Sequence, residues 1–153
     1  LITTQLNHER IALMSVGPLQ RLFEETTANA RGTGRIRRPW VRQHLARIDA
    51  HLEVLRLMNW EQAAAMSTGH VDYADASTIK VFGSEFYVEA YRLLMGVLGE
   101  PSALRRGSAA AALAGQIERY YRATLVLTFG GGTNEVQREI IAAAGLRLPR
   151  SRR

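Results

Sequence analysis

Val41-Arg42-Gln43-His44-Leu45-Ala46-Arg47-Ile48-Asp49-Ala50-His51-Leu52-Glu53-Val54-Leu55-Arg56-Leu57-Met58 is the stretch that decides the fold class. Val41, Leu45, Ile48, Leu52, Leu55 and Met58 recur in steps of three and four, which stacks them on one stripe of an α-helix. Arginines, acids and histidines fill the other faces. Pro39 is suited to the first turn, where its missing N–H costs nothing. The same spacing carries the helix to about Ser67.

Outward from that seam the pattern repeats. Upstream, Ile2, Leu6, Leu13, Val16 and Leu19-Leu22-Phe23 describe one face of a helix running to about Asn29. It opens with no capping residue ahead of it, as expected of a chain cut from a longer one. Gly17-Pro18 falls inside this pattern, and an internal proline predicts a kink. Arg31-Gly32-Thr33-Gly34 ends the helix. Downstream, a third helix is expected from about Asp72 to Leu98, with Val81-Phe82, Glu85-Phe86, Glu89, Leu93 and Val97 along one side, and Gly99-Glu100-Pro101-Ser102 closes it. A fourth is expected from about Ala109 to Thr124 and a fifth from about Thr133 to Ala144. Only Thr124 to Phe129 hints at the period-two alternation of a strand. The predicted class is all-α: an antiparallel helical bundle of three long and two shorter helices.

Composition narrows the function. At 153 residues, 46% hydrophobic and with 4 prolines, the chain is long enough for one folded core and too apolar for disorder. It has no cysteine, hence no disulfide or thiolate metal site. Histidines 8, 44, 51 and 70 show no metal-ligand spacing, so no metal is expected. No apolar run is long enough to cross a bilayer and no signal-peptide pattern appears, so the reading is a soluble, cytoplasmic protein with no membrane partner. The net charge of +6 raises nucleic acid as a partner. The basic residues are nearly all arginine, Lys80 being the only lysine. The dense patches Arg35-Ile36-Arg37-Arg38 and Arg150-Ser151-Arg152-Arg153 lack interleaved aromatics, which favours a solvated face or a small-ligand phosphate site over nucleic acid.

Two places could carry chemistry. Glu9 lies on the apolar stripe between Leu6 and Leu13. A desolvated carboxylate there is either poised as a general base or paired with Arg10 or another arginine as a structural element, and periodicity leaves both open. Phe129-Gly130-Gly131-Gly132-Thr133-Asn134-Glu135 combines close backbone approach with a helix start that can hold an anion. The alternative is a turn with Thr133 as an ordinary N-cap.

Gly131-Gly132-Thr133-Asn134-Glu135-Val136-Gln137-Arg138-Glu139-Ile140-Ile141-Ala142 resembles the C-terminal signature of acyl-CoA dehydrogenases, where a Gly-Thr-Ser-Glu-Ile-Gln-Arg-like segment opens the last helix. Leu146-Arg147-Leu148-Pro149-Arg150 is similar to the Leu-Gly-Leu-Pro-Arg ending of bacterial members. Leu6-Asn7-His8-Glu9-Arg10 resembles the Leu-x-x-Glu-Arg segment of the same domain, and Lys80-Val81-Phe82-Gly83-Ser84-Glu85 also has the family look. The resemblance spans the whole chain, residues 1–153, in the right order.

That resemblance implies a C-terminal helical-bundle domain whose N-terminal helical and middle β domains lie outside this chain. It implies FAD as cofactor, an acyl-CoA thioester as substrate, α,β-dehydrogenation as the reaction and an electron-transfer partner. It also implies a homo- or hetero-oligomer, dimer or tetramer. Many members carry the base immediately before the Gly-Thr; here that position is Gly131, which takes no proton. A smaller branch uses a glutamate in the Leu-x-x-Glu-Arg context, and Glu9 matches it. Arg10 matches an acyl-CoA-holding arginine, and Arg31 the arginine after the first helix that contacts FAD phosphates, usually of the neighbouring subunit. Gly132, Thr133 and Glu135 match positions near the FAD adenylate.

The chain departs from the pattern in three places. Gly-Thr-Gly after Arg31 is short and lacks its aromatic residue, Leu98-Gly99-Glu100-Pro101 stands where a Gln-x-x-Gly-Gly-x-Gly segment is usual, and Ala143 replaces an arginine of some members. Actinobacterial branches that form mixed tetramers, some acting on steroid side chains, resemble this pattern. A non-catalytic structural subunit is the alternative, followed by a basic helical module for nucleic acid. The 153-residue chain by itself is expected to be inactive.

Overall fold

The computed structural model describes residues 14–69 and 72–149. All regular structure among them is helical, in agreement with the all-α expectation. α1 spans Gly17–Gly32, α2 Pro39–Ser67, α3 Tyr73–Leu98, α4 Gln116–Thr124 and α5 Asn134–Ile140, with short 3-10 turns between them. Contacts divide these residues into two compact units. One holds residues 14–15, 54–85 and 126–149, the other residues 16–53 and 86–125. α2 and α3 contribute to both.

In the second unit the stripe behaves as its spacing predicts: Val41, Leu45, Ile48 and Leu52 are buried together with Leu19, Leu22, Leu94 and Val97. α2 and α3 run antiparallel here. Arg47 pairs with Glu89 at 2.9 Å and His51 stacks on Phe86, so numbers rise along one helix as they fall along the other.

Both ends of α3 are closed by identifiable groups. Asp72 Oδ1 accepts the Ala74 N–H at 2.7 Å and starts α3. α3 stops at Gly99, whose φ of 77° and ψ of −162° lie in a region that is essentially glycine's alone. The last carbonyls of α3 accept from Arg35, which donates to Val97 O at 2.9 Å and to Leu98 O. Part of the Arg35–Arg38 patch is therefore a helix cap rather than a solvated face.

Four expectations change. Pro18 does not kink a helix; α1 begins at Gly17 and Pro18 occupies its first turn, where proline is tolerated. The residues expected to precede it on the same helix, 1–13, lie outside the described residues. α4 begins at Gln116 rather than Ala109, because Leu113, Ala114 and Gly115 all have positive φ (46°, 53° and 73°), which a right-handed helix cannot contain. Gly115 also lies against the backbone of Arg106, where an added Cβ would stand 2.4 Å from Arg106 N. Leu125–Thr128 is a 3-10 turn, not a strand. α5 ends at Ile140 and widens into a π-helical turn over Ile141–Gly145, with Thr133 outside it as N-cap.

Candidate functional site

The glycine-rich turn lies in the first unit. Its path follows from three local constraints. Gly131 and Gly132 have φ of 71° and 100°, a region that side chains disfavour. A Cβ on Gly132 would come within 2.6 Å of Gln137 Nε2, so the turn is a cradle that only glycine leaves open. Thr133 then caps α5, its hydroxyl oxygen accepting the Val136 N–H at 3.3 Å.

Beneath the turn is a buried polar knot. Lys80, only 1% exposed, donates from Nζ to Gly132 O at 2.6 Å, Thr128 O at 3.2 Å and Asn134 Oδ1 at 2.5 Å. Asn134 is buried too; its Nδ2 donates to Ser84 Oγ and Glu85 Oε1, each at 3.1 Å. Glu85 also accepts from Arg138 at 2.6 Å. Lys80 and Ser84 are four apart on α3 and face the same way. Gln137 Nε2 donates to Gly131 O at 3.4 Å, while its Oε1 is buried without a hydrogen-bond partner among the described residues.

Of the sequence-derived site residues, Gly132, Thr133 and Glu135 come together in this turn. The backbone amide of Glu135 and then the Thr133 hydroxyl hold the Glu135 carboxyl below its ordinary range, with Arg138 and Lys80 adding to the effect. Arg31 is exposed in the last turn of α1, in the other unit. Glu9 and Arg10 lie outside the described residues. The unit that holds the glycine-rich turn also holds Met14. Asn59 Nδ2 donates to Met14 O at 2.9 Å, and the Met14 side chain lies where a Cβ on Gly83 would be 2.5 Å from its Sδ.

Sequence reasoning gave no site role to Lys80, Asn134 or Gln137. One signal for Lys80 was present: a single lysine in an arginine-rich chain, set among the small residues Ala76, Ser77, Gly83 and Ser84 on the face of α3 that turns inward.

The chemistry of the turn can be matched to a nucleotide. Glu135 already places a carboxylate at the start of α5, so a phosphate there would meet like charge. Ribose hydroxyls and an adenine amino group are donors, and they complement that carboxylate. Backbone amides over the Gly131–Gly132 cradle and the Thr133 hydroxyl complete a set that fits the adenylate half of a dinucleotide cofactor. No group of three or more metal-ligating side chains occurs among the described residues, and no helix there is long and apolar enough to cross a membrane.

A protein-family model described as the acyl-CoA dehydrogenase C-terminal domain matches residues 1–146. The chain belongs to that family. It is 52% identical over 163 aligned residues to acyl-CoA dehydrogenase FadE26 of Mycobacterium tuberculosis, covering 100% of this chain and 40% of that protein. Among solved structures, the Tcur3481-Tcur3483 steroid ACAD superposes with a TM-score of 0.94 at 47% identity, covering 98% of this chain and 39% of that one. The ChsE4-ChsE5 complex from Mycobacterium tuberculosis superposes with a TM-score of 0.89 at 50% identity, over 98% and 40%. The chain thus spans about 40% of the length of the curated relative FadE26. Acyl-CoA dehydrogenases are flavoprotein oxidoreductases, and the family implies FAD as the cofactor.

Proposed function

We propose that this chain is the C-terminal helical domain of an FAD-dependent acyl-CoA dehydrogenase that introduces an α,β double bond into an acyl-CoA thioester. The observation that carries this reading is the Gly131-Gly132-Thr133 turn. It is the family's signature segment, its backbone is opened by two left-handed glycines, and its chemistry suits an adenylate. Gly132, Thr133 and Glu135 hold that end, while Arg31 matches an arginine that reaches FAD phosphates, usually those of a neighbouring subunit's cofactor. Bound FAD supplies the acceptor for the β-hydride. Glu9 removes the α-proton, a role that Gly131 cannot fill, and Arg10 holds the thioester's CoA portion. The two solved relatives named above are complexes of two differently named proteins, and one is titled a steroid ACAD. Both titles support a hetero-oligomer, and the steroid ACAD title supports a bulky, steroid-derived acyl group.

A second reading is favoured by one feature. Where other members carry a glycine-rich FAD segment, Leu98 to Ser102 closes the end of α3. Arg35 is inserted into its carbonyls, Gly99 N–H donates to Met95 O at 2.8 Å, and Ser102 Oγ donates to Gly99 O at 2.6 Å. Groups used in a helix cap are not offered to a phosphate. On this reading the chain belongs to a subunit that completes a partner's site without binding flavin itself.

The test is the whole protein purified alone and with its partner subunit, followed by its visible spectrum and single-turnover reduction with acyl-CoA. Flavin that bleaches in the wild type, with reduction at least a hundredfold slower in Glu9→Gln, is the expected result. Unchanged turnover in Glu9→Gln removes the base assignment. A complex whose flavin lies wholly in the partner establishes the second reading.

A further inference from the structure

We propose that Lys80 is a positioning residue that aims the Gly132–Thr133 peptide at the cofactor by binding the carbonyl on its opposite side. This rests on the reading of the turn as an adenylate site.

The geometry is that of a three-point anchor. In a trans peptide the C=O of one residue and the N–H of the next point in opposite directions. Lys80 Nζ draws Gly132 O toward α3 at 2.6 Å, so the Thr133 N–H points away from α3. Gln137 Nε2 does the same to Gly131 O, turning the Gly132 N–H away from Gln137. Two successive amides are thereby turned off the packed face. Such a pair, carried by Gly132 with φ 100° and Thr133 with φ −63°, is suited to electron-rich atoms.

Lysine is the residue this task requires. Its ammonium is compact and carries three donors around one nitrogen. Those donors meet a carbonyl from the 3-10 turn, a carbonyl from the glycine turn and the carboxamide that opens α5. Arginine, used almost everywhere else in the chain, presents a flat fork that cannot converge on three acceptors around a point. Burying an ammonium is costly unless it is saturated with acceptors. The cation persists here because the turn is wrapped around it, and its charge also reaches Glu135.

The experiment compares the wild type with Lys80→Met and Lys80→Arg in the whole protein together with its partner subunit. Two quantities are read: amide hydrogen exchange over residues 128–137, and the dissociation constant for FAD after flavin removal. Circular dichroism at the working temperature checks folding. Lys80→Met is expected to speed exchange in that segment at least tenfold and weaken FAD at least tenfold, with Lys80→Arg restoring neither. Unchanged exchange overturns the anchor. Faster exchange with unchanged FAD affinity overturns the positioning role and leaves a purely structural lysine. Wild type that takes up no flavin defeats the adenylate reading, and the positioning role falls with it, whereas the exchange rates still decide whether Lys80 holds the turn.

Discussion

The two units of the molecule are held together by different physics. In the one formed by residues 16–53 and 86–125, the buried side chains are overwhelmingly apolar and aromatic. Leucines and isoleucines of α1 and α2 are joined by Phe86, Tyr87 and Tyr91 of α3, with Tyr91 stacked on Tyr120 of α4 at 5.7 Å. In the other, Gln62, Ser77, Lys80, Ser84, Asn134 and Gln137 are all buried, beside a shorter set of apolar residues such as Leu55, Ile79 and Val81. Area burial is non-directional and tolerates small shifts; hydrogen-bond networks fix orientation and fail steeply when one partner is lost. The comparison assigns stability chiefly to the aromatic unit and orientation of the glycine-rich turn to the polar one.

The largest effect expected from that division is in the aromatic unit. Tyr91→Ala removes a side chain only 2% exposed, and truncation of a buried aromatic costs about 3–5 kcal/mol. Burial also pushes the hydroxyls of Tyr87 and Tyr91 well above the ordinary tyrosine range, so neither ionises near neutral pH. Denaturant unfolding of the intact protein with its partner checks the loss. Once the variant is kept below its melting temperature, FAD affinity should be within twofold of wild type. A variant of normal stability, or one whose flavin is lost while the fold is intact, breaks the comparison.

Gly132→Ala should show the reverse pattern. Its φ of 100° and the 2.6 Å approach of a new Cβ to Gln137 Nε2 imply strain of about 1–3 kcal/mol. That is smaller than the Tyr91 effect, yet it falls on the turn whose amides the Lys80 anchor directs. FAD affinity should drop at least tenfold with a modest fall in melting temperature. Equal affinity in the variant and the wild type would mean that the turn does not face the cofactor.

What the sequence made legible follows the same line. Helical periodicity is a local signal, and the stripe from Val41 to Leu55 is buried as its spacing requires. The family motif singled out Gly132, Thr133 and Glu135, which the structure places in one turn, for the same reason: they are contiguous. What was not legible depends on distant parts of the chain. The Ala-rich run before Gln116 has strong helix propensity, yet it carries three residues of positive φ and its Gly115 packs against the Arg106 backbone. Pro18 starts a helix because the chain before it is not helical at Ser15, which spacing cannot report. The acceptors of Lys80 are 48, 52 and 54 residues away. No local pattern links them, and only the unusual lone lysine marked the place.

The smallest effect sharpens the comparison most, because it isolates one charge at the edge of the polar unit. Glu135 is fully exposed, so it hides no area, and its lowered pKa comes from its own amide, the Thr133 hydroxyl and the nearby Arg138 and Lys80. A carboxylate whose folded pKa lies below its unfolded value contributes stability above the unfolded value and loses it as the pH falls through the folded one. Wild type should therefore be slightly more stable than Glu135→Gln at pH 7, and the gap should close as the pH drops below the ordinary glutamate range. Screening by salt should shrink the part due to Arg138 and Lys80 and leave the part due to the two hydrogen bonds. Paired denaturant titrations at pH 7 and pH 3, in low and high salt, separate the two. A gap that widens toward acid reverses the sign and removes the helix-start carboxylate from the turn's chemistry. One that vanishes in salt makes Glu135 a long-range charge and returns the acceptor role to the Thr133 hydroxyl alone.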